Sequence, residues 1–184
     1  MRGTRIRLPN GLRAIEDLLV GDEVLSYSLA ERKHVVRRVA NVLRGRAKTI
    51  HAIRAGEFEI AGVTPEHPFW DASTESWREV SALSLSSVLL VGVDAREVRT
   101  QSVTELKCVP ARDEVDVFNL TIEGEEQNYF ANGILVHNKS RPCDEPCGVV
   151  TDVVDVQSDE GIDAPIDANT PDGADVPEVD AATE

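Results

Sequence analysis

The chain of 184 residues holds only three cysteines, one methionine and four histidines, and aromatic residues make up 4% of it. Three cysteines are too few for a disulfide framework. No apolar run approaches the length of about 20 residues that spans a bilayer as a helix. The opening MRGTRIRLPNG is basic but leads into no apolar h-region, so no signal peptide is read there. Basic residues are also scarce, 19 Lys and Arg against 33 Asp and Glu. That balance argues against nucleic-acid binding, which needs a basic footprint.

The acidity is unevenly spread, and the unevenness sets a boundary. Of the 33 acidic residues 13 follow Asn138, opposed there only by Lys139 and Arg141. The run DVVDVQSDEGIDAPIDANTPDGADVPEVDAATE has no aromatic residue and cannot bury enough apolar surface to offset its ordering entropy. Residues 139–184 are therefore expected to be a disordered acidic tail or linker. A calcium-binding reading fails because the Asp spacing is irregular and lacks the Gly-centred loop of an EF-hand. Cys143 and Cys147 in RPCDEPC could bridge or bind a metal, but no histidine or further cysteine lies near them, and a plain linker is the simpler reading. No metal site and no cofactor are expected.

Residues 1–138 are long enough for one domain with a sizeable core and read as all-β. Short segments rich in Val, Ile, Leu, Phe and Thr, among them DEVLSYS, HVVRRVANVLR, TIHAIRA, TQSVTELKCV and VDVFNLTIE, are separated by turn residues: Pro9-Asn10-Gly11, Gly21-Asp22, Arg44-Gly45, Gly56, Pro65 and Asn132-Gly133. Asn10-Gly11 signals a hairpin with a type I′ turn, which needs positive φ at both central positions. Helical periodicity is limited to a turn or two in Leu12–Leu19 and Trp77–Leu83. Asp17–Leu25 also echoes Ala82–Leu90 at its apolar positions, which suits a body of two similar β halves.

Three islands hold residues with chemical potential. The body ends in His137-Asn138, at the composition break. An Asn amide can attack its own main-chain carbonyl, form a succinimide and cut the chain, here between Asn138 and Lys139. A neighbouring His can protonate the leaving amine or polarise the carbonyl, and a rigid framework can hold the geometry of attack. Thr64-Pro65-Glu66-His67-Pro68 presents His67 from a turn stiffened by two prolines, with a Thr hydroxyl three residues earlier. Such a pair can strain an amide and protonate its departing nitrogen. Taken singly, each island is read more simply as an ordinary strand end or surface turn. His34 and His51 read as surface or satisfied core residues, Trp70 and Trp77 as core anchors or a wall beside the site, and Cys108 as a small buried hydrophobe.

In order and spacing, however, the islands resemble the conserved blocks of Hint (Hedgehog/intein) domains, over about three quarters of the chain. GTRIRLPNGLRAIEDLLVGDEVLSY resembles the opening block, VTPEHPFW the T-x-x-H block, and VFNLTIEGEEQNYFANGILVHN the last two. The resemblance, closest to bacterial intein-like domains, implies a horseshoe-like all-β fold of two pseudo-symmetric halves. It also implies that both ends of the domain meet at one site. Thr64 and His67 would then assist an amide-to-ester shift at the first residue, and His137 and Asn138 would carry Asn cyclisation. Asn119 and Gln127 stand where the family often has Asp and His, and are expected to be auxiliary.

Three departures shape the expected activity. The family's first Cys would fall two residues before Met1. Lys139 stands where a splicing intein needs Cys, Ser or Thr. Gln127 cannot act as acid or base. The expectation is therefore carboxy-terminal autocleavage after Asn138 rather than splicing, acting on the chain's own flanking segments as a monomer. The alternative is a degenerate, inactive Hint fold kept as a structural or presentation module. A fused homing endonuclease has no room between the second and third blocks.

Overall fold

The structure is a computed structural model that describes residues 1–138; the acidic segment, and with it the expected disorder and the roles of Cys143 and Cys147, lies outside the described residues. Strands and two short 3-10 turns are the regular elements of the described residues. β1 (Arg5–Leu8) and β2 (Gly11–Ala14) make a hairpin, followed by a single 3-10 turn at Ile15–Asp17, then β3 (Glu23–Ser28) and β4 (Lys33–Ala55). β5 (Phe58–Val63) leads into the hairpin of β6 (Pro68–Asp71) and β7 (Ser76–Glu79). A second 3-10 turn at Val80–Ala82 precedes β8 (Val88–Gly92) and β9 (Val98–Ile122), and the body closes with β10 (Asn128–Ala131) and β11 (Ile134–His137). Pairing runs β2-β1-β10-β11-β6-β8-β9-β4-β3, with β5 on β4 and β7 on β6. No helix in the described residues is long and apolar enough to cross a membrane.

The internal echo is structural. In each half a hairpin leads through a 3-10 turn into a short strand and then a long one, at an offset of 65 residues. Ile15 and Val80 are buried at the head of each turn, Leu18 and Leu83 cap it, and Val24 and Leu89 are wholly buried in the strand beyond. The connecting loops match bond for bond: Asp22 N donates to Leu19 O and Ser87 N to Ser84 O, while Leu19 N donates to the Asp22 carboxylate and Ser84 N to the Ser87 hydroxyl. The acceptor differs, carboxylate against hydroxyl, yet either oxygen satisfies the same loop amide.

Two hairpins show how turn chemistry sets geometry. At the tip of β10–β11, Asn132 and Gly133 have φ of 46° and 82°, the double positive φ of a type I′ turn. Asn132 is tied at three points: its N donates to Arg5 O, its Oδ1 accepts from Arg5 N and its Nδ2 donates to Glu59 O. The first hairpin departs from expectation. Leu8 pairs with Gly11, so the two loop residues are Pro9 and Asn10. Pro9 locks φ near about −65°, which rules out a type I′ turn, and only Gly11 takes a positive φ, 135°.

Two further expectations are corrected. Arg44-Gly45 is not a turn: HVVRRVANVLR and TIHAIRA form one 23-residue strand, β4, paired from Val39 to Ala55 with the 25-residue β9. Gly45 lies within that ribbon opposite Val117. The register shifts between Ala47 and Thr49, beside Pro110, whose missing N–H cannot serve the ladder. Cys108 is exposed on β9 rather than buried, and it is disulfide-bonded.

The main core gathers Ile6, Phe69, Leu89, Val91, Leu120, Ile134 and Val136, all fully buried, from strands of both halves. Each such side chain contributes about 1.5–3 kcal/mol relative to exposure. Polar clamps complete the packing. The buried Asn128 accepts from Tyr27 N and donates to Tyr27 O and Glu126 O, joining β10 to β3. Arg37 grips both carboxylate oxygens of Glu126, at 2.6 and 2.8 Å. Asn128→Ala leaves buried groups on Tyr27 unpaired and is expected to cost about 2–4 kcal/mol, read as a lowered urea midpoint without loss of fold. The Arg37 guanidinium holds the Glu126 carboxyl below the usual range. A carboxyl with a depressed folded-state pKa stabilises above its unfolded value, about 4.3, and that stabilisation is lost as pH falls through the folded value. Arg37→Ala is thus expected to lower the urea midpoint at neutral pH, and the gap from wild type to close on acidification through that range.

Candidate functional site

The Thr64–His67 island lies between β5 and β6 and is built as a turn: His67 N donates to Thr64 O at 3.0 Å. Pro65 has no N–H to spend, and its carbonyl instead accepts from Ser81 N at 3.0 Å, while His67 O accepts from Val80 N at 3.0 Å. The island is therefore stapled to the second 3-10 turn. Thr64 and His67 are both buried, and the His67 ring meets Phe69 edge to face at 5.9 Å.

The carboxy-terminal island is placed by β11. Asn128 pairs with His137 across the hairpin, and Asn138 N donates to Gln127 O at 2.8 Å. On its other side β11 runs antiparallel to β6, with Val136 opposite Phe69. His67 precedes β6 and Asn138 follows β11, so both leave the same end of this antiparallel pair. The T-x-x-H turn and Asn138 thus flank the same end of one strand pair. Near it, a side chain at Gly62 would collide with the Met1 thioether, so Met1 lies against the strand end two residues before Thr64.

His137 Nδ1 stands 2.8 Å from Asn138 O. In the tautomer or charge state with a proton on Nδ1, the imidazole donates to that carbonyl. Trp77 packs against the same ring at 4.8 Å, and Trp70 packs against Trp77 at 5.3 Å. The Asn138 side chain is buried and its Oδ1 has no hydrogen-bond partner among the described residues. An amide so placed is not tied down by its oxygen.

The auxiliary positions act differently from each other. Gln127 is exposed, takes a φ of 48°, and meets the site through its carbonyl rather than its side chain. Asn119 Oδ1 accepts from Leu120 N at 2.9 Å and from the Tyr129 hydroxyl at 3.0 Å. Burial pushes the Tyr129 phenol far above its ordinary range, so it remains a neutral donor. His51 is buried opposite Val63 and Cys108; burial lowers its affinity for a proton, and the Glu66 carboxylate partly offsets this. Among the described residues no group of three or more His, Cys, Asp or Glu side chains is placed to hold a metal ion. The residues that sequence reasoning left bland are Trp77 and Asn128. Trp77, read as a core anchor or a wall beside the site, stands against the His137 ring.

No family model and no curated protein matches the chain. Solved structures do. The bacterial intein-like domain from Clostridium thermocellum matches at 25% identity and a TM-score of 0.66, covering 74% of this chain and 96% of its own. The DnaB intein from Synechocystis sp. matches at 22% identity and a TM-score of 0.66, covering 76% and 97%. The PabCDC21-1 intein matches at 23% identity and a TM-score of 0.66, with the same coverage of 76% and 97%. Two β halves joined by a shared central ribbon, with a T-x-x-H turn beside a terminal His-Asn, give residues 1–138 the fold of the Hint, intein-like domains.

Proposed function

We propose that the chain cuts itself between Asn138 and Lys139 by cyclisation of Asn138, and does not splice. The observation that carries this reading is the 2.8 Å approach of His137 Nδ1 to Asn138 O, the carbonyl of the bond to be cut. Asn138 Nδ2 attacks the main-chain carbonyl carbon of the same residue, and the oxygen gains negative charge as the tetrahedral centre forms. An Nδ1–H donor already in place stabilises that charge without reorganisation. The C–N bond to Lys139 then breaks, Nδ2 gives up the proton that the Lys139 nitrogen gains, and Asn138 is left as a succinimide. Held geometry supplies about 7–11 kcal/mol of such a barrier at best. Lys139 has no hydroxyl or thiol to receive an acyl group, so the branched ester that splicing requires cannot form there.

Thr64 and His67 serve, on this reading, the amide shift at the domain's other junction, from the end of the β6–β11 pair that Asn138 also leaves. Gln127 supplies a carbonyl that anchors Asn138 but no titratable group. A missing acid–base helper costs about 10²–10⁴-fold, which sets the expected time at hours to days. The same exposed, non-titrating Gln127 is what favours the second reading, an inactive Hint fold kept as a structural module.

Intact-mass spectrometry of purified chain over several days near neutral pH tests the proposal. Wild type is expected to lose the mass of residues 139–184, Asn138→Ala to remain whole, and His137→Ala to slow by about 10²–10⁴-fold. An unchanged wild-type mass, or cleavage of the Asn138→Ala chain at the same bond, would establish the structural reading instead.

A further inference from the structure

Hydrogen bonding fixes only one side of the His137 ring. Among the described residues its polar contact is the carbonyl of the next residue, and its other close neighbour is the indole of Trp77, 4.8 Å away at an interplanar angle of 65°. A histidine on the last position of a strand has several staggered χ1 and χ2 choices, and only some of them turn Nδ1 toward the following carbonyl. Trp77 is itself constrained. It stands opposite Trp70 in the β6–β7 hairpin, the two rings pack edge to face, and β6 is the strand that pairs with β11. The aromatic pair and the strand that ends in His137 are thus parts of one sheet, so the indole cannot drift relative to the imidazole without loss of strand pairing.

We propose that Trp77 is a positioning residue for the cleavage reaction: its indole, backed by Trp70, holds the His137 imidazole in the rotamer and tautomer that direct Nδ1–H at the Asn138 carbonyl oxygen. This rests on the cleavage proposed above. The ring contacts of Trp77 are with Trp70 and His137, so its effect is exerted through the imidazole. It acts by excluding other ring orientations and by keeping water from competing for Nδ1. The tautomer follows from the geometry, because the nitrogen that finds an acceptor keeps the proton. A free neutral imidazole in water favours the proton on Nε2, so the bias is measurable apart from any turnover. Trp70 belongs to the same device one step further out, as the support that sets the indole angle.

The experiment uses the full chain carrying Asn138→Ala, which keeps the carbonyl of residue 138 but cannot cyclise. Long-range ¹H–¹⁵N spectra at mildly alkaline pH report the His137 tautomer. The proton is expected on Nδ1 with Trp77 present and in Trp77→Phe, which keeps an aromatic wall, and to shift toward Nε2 in Trp77→Leu. In parallel, in the Asn138 background, Trp77→Leu is expected to slow cleavage at least about tenfold and Trp77→Phe to restore most of it, since misplacing a catalytic group by about 1 Å costs up to 10²-fold. Thermal unfolding of each variant identifies any loss of fold. An unchanged His137 tautomer in folded Trp77→Leu overturns the positioning role, as does wild-type cleavage by that variant. Absence of cleavage in wild type defeats the proposed function alone and leaves the tautomer to decide this inference.

Discussion

The site depends on one strand pairing, that of β11 with β6. Phe69 and Val136 face each other there, 67 residues apart in the chain and both excluded from solvent. Because the strands run antiparallel, this buried pair sets the residue before β6, His67, and the residue after β11, Asn138, at the same end of the pair. A slip of one residue would turn Val136 out of the core and His137 into it. The burial of two aliphatic and aromatic side chains therefore protects the alignment of two polar ones.

Everything around that pairing serves to keep it in register. The Asn132-Gly133 turn fixes where β11 begins, and the three bonds of Asn132 tie that turn to β1 and β5. Asn128 and the Arg37–Glu126 pair fix the other end of β10, whose preceding residue, Gln127, supplies the carbonyl that receives Asn138 N–H. On the β6 side, Pro65 and His67 lend their carbonyls to the second 3-10 turn. The duplicated architecture explains why that turn is available: in the first half the equivalent turn at Ile15–Asp17 serves the β1–β2 hairpin, where Ile15 N donates to Thr4 O. One supersecondary unit, used twice, thus supports the entry of the chain on one side and the T-x-x-H island on the other.

What could be read from the sequence was local or carried by ordered motifs. The Asn132-Gly133 hairpin, the two 3-10 turns and the halves' echo follow from nearby residues, and the His137-Asn138 and Thr64–His67 islands from their order along the chain. Each misreading has its own physical cause. Gly45 resembles punctuation because glycine costs entropy in a strand, yet a long partner strand can supply the pairing that overrides it. Pro9 changed the first turn because its fixed φ outweighs the preference of the Asn-Gly that follows. Trp77 against His137, Tyr129 against Asn119 and Asn128 against Tyr27 are pairings between distant residues, and no local periodicity encodes them.

The central claim is that strand register puts the imidazole of His67 beside the side chain of Asn138 in the folded, uncut chain. Nuclear Overhauser spectra of freshly purified protein test it most directly, through cross-peaks between the His67 ring protons and the Asn138 side-chain amide protons. The register of β6 on β11 predicts those cross-peaks, accompanied by backbone cross-peaks linking Phe69 to Val136. Phe69–Val136 cross-peaks without any His67–Asn138 contact, or a different strand partner for Val136, would contradict it.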